Sequence, residues 1–209
     1  NKWHLMSVML SASNCLDWIC KITNTSIQDS LKNIENYFSD KDKILNSSFF
    51  LPYLSGERTP HNDPHIRGSF HSIKTTTDAI NMQYAVIEGI SFGLLDGVNS
   101  ILKVNNNFEK IFVVGGGSRS SFWIGLLSSL LNRKLIVCDQ SDFGAAIGVS
   151  RLAMNVDSNI TKKDKFIKEI KTSKEFNPKF ENNKILLRRY EIWRNLYLSN
   201  NKIAPTLLT

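Results

Sequence analysis

Residues Glu109 to Leu131 read EKIFVVGGGSRSSFWIGLLSSLL, and this stretch decides the fold. Ile111–Val114 are a short apolar run rich in β-branched residues, the pattern of a strand buried on both faces. Gly115, Gly116 and Gly117 follow at once, then the hydroxyls of Ser118, Ser120 and Ser121, then a helix with Phe122, Leu126, Leu127, Leu130 and Leu131 apolar. Strand, glycine turn, helix is the grammar of an α/β protein. Backbone without Cβ atoms can come close to a ligand, and the helix N-terminus behind it presents unpaired N–H groups and partial positive charge, which suits phosphate or ribose. The spacing is not Gly-x-Gly-x-x-Gly and no Gly-Lys-Ser/Thr follows, so neither a dinucleotide fingerprint nor a P-loop is present. A bare triple glycine serves equally well as a tight turn without a ligand; the three hydroxyls favour a nucleotide.

Downstream, Leu135–Cys138 read as a second buried strand, and Asp142 is placed to cap a helix rich in small residues: Gly144, Ala145, Ala146, Gly148 and Ala153. That helix is expected to pack tightly on a long helix upstream. The long helix begins at Thr77 and runs to Leu102, with Ala85, Gly89 and Gly93, each four apart, forming a stripe that another element can approach closely. Residues 52–68, PYLSGERTPHNDPHIRG, hold three prolines and two glycines and form a loop long enough to be functional or interfacial. Before it, Phe49–Leu51 are a short apolar run closed by Pro52. Trp3–Leu10 (WHLMSVML) read as a strand or a short apolar run. Ser11 or Ser13 caps a helix striped by Cys15, Leu16, Trp18 and Ile19, and Thr25 or Ser26 caps a second one. Residues 154–177 are polar and Lys-rich. A terminal helix from Pro178 to Ser199, carrying Leu186, Tyr190, Trp193 and Tyr197, is expected to cover its own domain. The chain thus divides into a domain over 1–155 and a connector with its helix over 156–209.

Hydrophobic residues at 42% and charged residues at 22% of a 209-residue chain exclude wholesale disorder and fibrous repeats. No apolar run approaches the roughly 18 residues of a membrane span, so no membrane protein is expected. The net charge of +7 lies wholly in residues 160–209, with 12 Lys and Arg against 5 Asp and Glu. Charge confined to a Lys-rich tail reads as solvated faces rather than as a nucleic-acid surface. Cys15, Cys20 and Cys138 have no Cys-x-x-Cys spacing, which argues against a disulfide framework or thiolate zinc and for buried thiols in a reducing cytoplasm. His61 and His65 are separated by Pro64 and have no third ligand, so a metal site is not expected. Asp17, Asp63, Asp96 and Asp142 are candidate carboxylates. No residue declares itself a catalytic base, and no serine or cysteine sits in a hydrolase-like motif.

Four strings taken in order, FLPYLSGERTPHNDPHIRGSF (50–70), AVIEGISFGLLDG (85–97), VVGGGSRSSFW (113–123) and GAAIGVSRLA (144–153), resemble the C-terminal half of the FGGY family of carbohydrate kinases. GERTPHNDP and WHLMSVMLSASNCLDW (3–18) are similar to its xylulokinase branch in particular. Gly68, Phe70, Ile73, Asn81, Met82, Ala85 and Glu88 match a second family signature, with Ser72 where a glycine is usual. The resemblance implies one of two actin-like (ribonuclease-H-like) α/β domains, with sugar and ATP bound in the cleft between them. The catalytic aspartate, the sugar-binding residues and the first phosphate loop are implied to lie in the other domain. A second phosphate loop is expected just before this chain begins, leaving the C-terminal domain incomplete at its N-terminal edge.

The implied reaction moves the γ-phosphate of ATP to the 5-hydroxyl of D-xylulose, with Mg²⁺ bridging ATP oxygens. By motif position, Gly115, Gly116, Gly117, Ser118 and Ser121 would border ribose and α-phosphate, with Ser13 and Asp17 near base and ribose; Arg119 also matches the motif. The chain would supply no catalytic residue and no metal ligand, and would be inactive alone. The ERTP loop is expected at the cleft mouth or a dimer contact. A cytoplasmic homodimer, with no nucleic-acid or membrane partner, completes the expectation. Two other readings stay open: a non-catalytic actin-like nucleotide-binding module, or another FGGY pentulose kinase. A basic nucleic-acid-binding domain is favoured only by the tail.

Overall fold

The structure, a computed structural model, describes residues 3–38, 41–104, 110–139, 143–157 and 171–202. Helix α1 (Ser13–Ile22) is followed by α2 (Ile27–Tyr37), α3 (Lys41–Leu45) and the short strands β1 (Phe49–Leu51) and β2 (Ser69–His71). The long α4 (Ala79–Leu102) leads to β3 (Ile111–Val113), a short 3₁₀ turn (Gly116–Arg119), α5 (Ser121–Leu131) and β4 (Leu135–Cys138). Helix α6 (Gly144–Asp157), β5 (Thr172–Phe176) and α7 (Phe180–Asn201) complete the order.

Helix α4 is the hub. Asp78 caps it by accepting from Asn81 N at 2.9 Å, one residue past the expected start at Thr77. Its small-residue stripe does what the spacing implied: a Cβ on Gly89 would lie 2.2 Å from Phe50 O, so β1 can approach only because that atom is missing. The same carbonyl accepts the Trp193 indole N–H at 2.7 Å, so β1 is gripped between α4 and α7. Trp18 of α1 stacks on Phe50 at 5.6 Å and on Phe70 at 6.4 Å, closing the other side of the β1–β2 hairpin. By length and composition α4 is also long and apolar enough to cross a membrane, which counting uninterrupted apolar runs had missed. It is nevertheless a core helix here. Its Gln83, Glu88 and Asp96 are buried, and β1, α1, α2, α5 and α7 pack around it.

The second sheet runs β3–β4–β5. β3 and β4 are parallel with α5 as their crossover, and β5 joins β4 antiparallel. β4 is buried throughout, as expected. β3 is not: among the described residues it pairs only with β4, and Phe112 and Val114 are 42% and 60% exposed. The apolar run was read correctly as a strand, but composition does not reveal how many neighbours a strand has. β5, TSKEF, lies in the stretch read as polar connector; its mostly exposed side chains gave no alternating apolar signal.

Two packing expectations are corrected. Trp3–Leu10 form no strand; Trp3 and Met6 are largely exposed, and the segment is tied instead to loop residues 57–59. Helix α6 does not pack on α4, whose faces are already occupied, and Ala145, Ala146, Val149 and Leu152 lie exposed. The expected cap Asp142 lies outside the described residues. Ser72, the departure from the family's glycine, has a left-handed backbone with φ 60°, the conformation a glycine adopts without strain. The terminal helix extends two residues past its expected end at Ser199 and packs on α5, β1, α4 and α3.

Candidate functional site

The glycine turn closes on itself. Gly115 has φ +95°, a backbone that side chains rarely adopt. Ser118 N donates to Gly115 O at 3.0 Å and Ser118 Oγ donates to the same carbonyl at 2.7 Å. Ser120 Oγ accepts from Trp123 N at 3.2 Å and so caps α5. Two of the three hydroxyls that favoured a nucleotide are therefore spent inside the turn. Ser118 is buried; Ser121 is exposed at the first turn of α5, where a helix has no acceptor of its own for its first N–H groups.

The three glycines differ in what the fold asks of them. Gly115 is required by its φ. Gly117 faces the Trp123 ring, 3.3 Å from where a Cβ would stand. Gly116 has no such neighbour: a Cβ there would meet nothing within 4 Å, and its φ is not left-handed. The fold gives no reason for a glycine at 116, and the open space in front of it is a cradle that a side chain would fill.

The other two expected site residues sit on α1. Ser13 is exposed in its first turn, and the N-cap is Ala12, which offers no side-chain bond; neither Ser11 nor Ser13 caps the helix. Asp17 is half-buried and paired with Lys21 at 2.6 Å. It lines a groove of about 490 Å³ with Lys21, Asn24 and Ser26. Ser121 lines a separate hollow of about 340 Å³ with Glu35, Tyr84 and Leu186. Among the described residues these two hollows are separate. A hollow of about 720 Å³ between the end of α4 and α7 contains none of the expected site residues.

The remaining carboxylates are structural. Asp63 accepts from His65 N at 2.9 Å and Ile66 N at 3.0 Å and receives the Tyr197 hydroxyl at 3.3 Å. Asp96 accepts the Tyr190 hydroxyl and stands 3.7 Å from Arg194; burial nevertheless pushes its carboxyl above the usual range. His61 is stacked on Tyr197 at 3.6 Å and bonded to the Tyr53 hydroxyl at 3.1 Å, and burial lowers its pKa to about 4. What sequence reading missed is the pair Glu88–Arg189, both buried, joined at 2.7 Å, with Arg189 also donating to the carbonyls of Leu45, Ser47 and Ser48. Only the match of Glu88 to a family signature pointed to half of it.

The glycine turn thus sits at a strand–helix junction of an α/β domain, and comparison places that domain. The family described as "FGGY family of carbohydrate kinases, C-terminal domain" matches residues 1–155, and the chain belongs to that family. It is 38% identical over 152 residues to a xylulose kinase of Escherichia coli, covering 73% of this chain and 31% of that protein. It is 28% identical over 214 residues to a xylulose kinase of Staphylococcus epidermidis, covering 99% of this chain and 41% of that one. A solved structure described as a xyloylose kinase from Brucella ovis superposes with TM-score 0.82 at 30% identity, over 95% of this chain and 40% of that one. The chain thus spans 31–41% of the length of these relatives, and its fold is that of the actin-like C-terminal domain of FGGY kinases.

Proposed function

We propose that this chain forms the adenosine side of the ATP site in a sugar kinase that phosphorylates D-xylulose at its 5-hydroxyl. The observation that carries the reading is Gly116, a glycine the fold does not need, opening onto space at the mouth of a strand–helix turn. The similarity to proteins named xylulose kinases supports the sugar; another FGGY pentulose kinase is the nearest rival.

Phosphoryl transfer asks mainly for positioning and charge neutralisation. In this reading the backbone at Gly115–Gly117 and the Ser121 end of α5 hold the ribose and α-phosphate. Ser13 and Asp17 bound the base, and Ser118 acts indirectly by closing the turn. Arg119 is exposed beside the turn. Among the described residues, no three His, Cys, Asp or Glu side chains gather as a metal site; a Mg²⁺ ion would be held mainly by the nucleotide's own oxygens and would neutralise phosphate charge there. In this reading Asp63 and Asp96 hold the fold and Asp17 faces the nucleotide, and the base that takes the sugar proton belongs to the rest of the parent enzyme. The chain alone is expected to turn over nothing; ATP-dependent phosphorylation of D-xylulose by the isolated chain overturns that statement.

The test of the site is Gly116→Val in the complete polypeptide that carries this sequence. Its side chain enters open space, so the melting temperature should hold, while the Kd for ATP rises by about tenfold or more as backbone approach is blocked. An unchanged Kd removes the glycine turn from the ATP site.

A further inference from the structure

The GERTP loop has a task that neither packing nor the glycine turn explains. Its residues 57–59 run beside residues 8–10, joined largely through side chains. Val8 N donates to Thr59 Oγ1 at 3.1 Å, Thr59 N donates to Val8 O at 3.0 Å, and Leu10 N donates to Glu57 Oε1 at 3.0 Å. The same Glu57 oxygen accepts from Arg58 N at 2.7 Å. Three residues after Leu10 the chain enters α1, whose cap residue Ala12 gives no side-chain bond. The loop, rather than a cap, fixes where α1 begins. A second tie comes from Cys15 in the first turns of α1, whose thiol donates to Pro52 O at 3.4 Å.

Glu57 is 2% exposed and sits in this place at a cost. Its Oε2 is buried without a hydrogen-bond partner among the described residues. Burying a carboxylate that is only half satisfied disfavours the fold, and burial raises its pKa despite the bonds from Leu10 and Arg58. Such a group is better explained by what it holds than by stability. The loop behind it is stiff. Glu57 and Asp63 exchange backbone bonds at 2.9 and 2.8 Å, and His61 packs between Tyr53 and Tyr197, tying the loop to α7.

We propose that Glu57 is a positioning residue of the nucleotide side: by holding Leu10 it sets the entry of α1 and hence the places of Ser13 and Asp17. The proposal rests on the ATP reading above. Glu57 touches no reacting atom; its effect passes through the backbone of residues 8–12.

The test compares Glu57→Ala, Glu57→Gln and Thr59→Val in the complete polypeptide, reading the equilibrium Kd for ATP and the KM values for ATP and D-xylulose. Glu57→Ala should raise Kd and KM for ATP by about tenfold and leave KM for D-xylulose within about twofold. Glu57→Gln should restore ATP affinity to within about twofold of wild type, because its amide oxygen still accepts from Leu10 and Arg58. Thr59→Val should weaken ATP binding by a smaller factor, and it carries the test if the alanine variant does not fold. ATP affinity unchanged in folded Glu57→Ala, or in Thr59→Val where that variant stands in, overturns the proposal. So does a glutamine variant no better than alanine, or an equal rise in both KM values. A wild-type protein that binds no ATP overturns the nucleotide reading itself, an outcome distinct from these.

Discussion

The region around α4, α7 and the GERTP loop and the region around β3, the glycine turn and α6 are built on opposite terms. In the first, nearly every buried polar group is spent on the chain itself. Glu88 and Arg189, 1% and 3% exposed at their side chains, pair with each other; Asp96 holds Tyr190; Trp193 holds a strand carbonyl. In the second, a strand edge is unpaired among the described residues, α6 presents Val149 and Leu152 to solvent, and Gly116 opens onto space. The contrast separates scaffold from surface. Where a fold consumes its own donors and acceptors it has little left for a ligand, and where it leaves backbone uncovered that backbone is available for one.

The largest effect that could break this contrast is expected at Arg189. Replacing it by alanine leaves Glu88 as a buried, unpaired charge and should cost about 3–5 kcal/mol in denaturant unfolding. Burial by itself pulls the guanidinium's pKa down, but the Glu88 carboxylate beside it more than offsets that, so Arg189 stays charged in the fold. A loss below about 1 kcal/mol would mean the pair is not the clamp between α7 and the domain. The next effect sharpens the contrast inside the turn. Gly115→Ala should cost about 1–2 kcal/mol because its backbone is left-handed, whereas Gly116→Ala should cost under about 0.5 kcal/mol. Equal costs would show that both glycines serve the fold, and the argument for an open cradle would go.

The smallest effect is a slope. The folded pKa of His61 lies near 4, below its ordinary value, because burial disfavours the imidazolium. The unfolded chain therefore binds more protons between pH 4 and 6.5, and His61 contributes stability above that window that is lost as pH falls through it. Glu57 and Asp96, raised by burial, act in the opposite sense: their penalty on the fold grows as pH rises through their folded pKa values. The difference in unfolding free energy between wild type and His61→Gln isolates the histidine. That difference should increase with pH across this window, and a flat difference would show that the stacked ring is not held neutral by the fold.

Local patterns proved reliable where the physics is local. The stripe on α4, the Ser26 cap of α2, which accepts from Asp29 N, and the strand–turn–helix at Val113–Trp123 are all set by spacings of a few residues, and all are present. Patterns failed where the answer depends on a partner far along the chain. The four-residue apolar run of β3 could not announce that it has one neighbour among the described residues. The small residues of α6 could not say that α4 was already covered, and the polar β5 could not say that β4 would recruit it. At the site, the glycines were legible because their demands on backbone and space are intrinsic. The serines were not, because a hydroxyl in a sequence carries no mark of whether it will cap a helix, brace a turn or face solvent.

The α/β class, the long helix α4, the strand–turn–helix unit and the family therefore follow from the sequence by itself, since periodicity, caps and motif strings are properties of neighbouring residues. Which glycine is spare, which hydroxyl is spent, and that Glu57 reaches back 47 positions to Leu10 were decided only by the tertiary structure. Those outcomes depend on which distant backbone groups arrive at the same place.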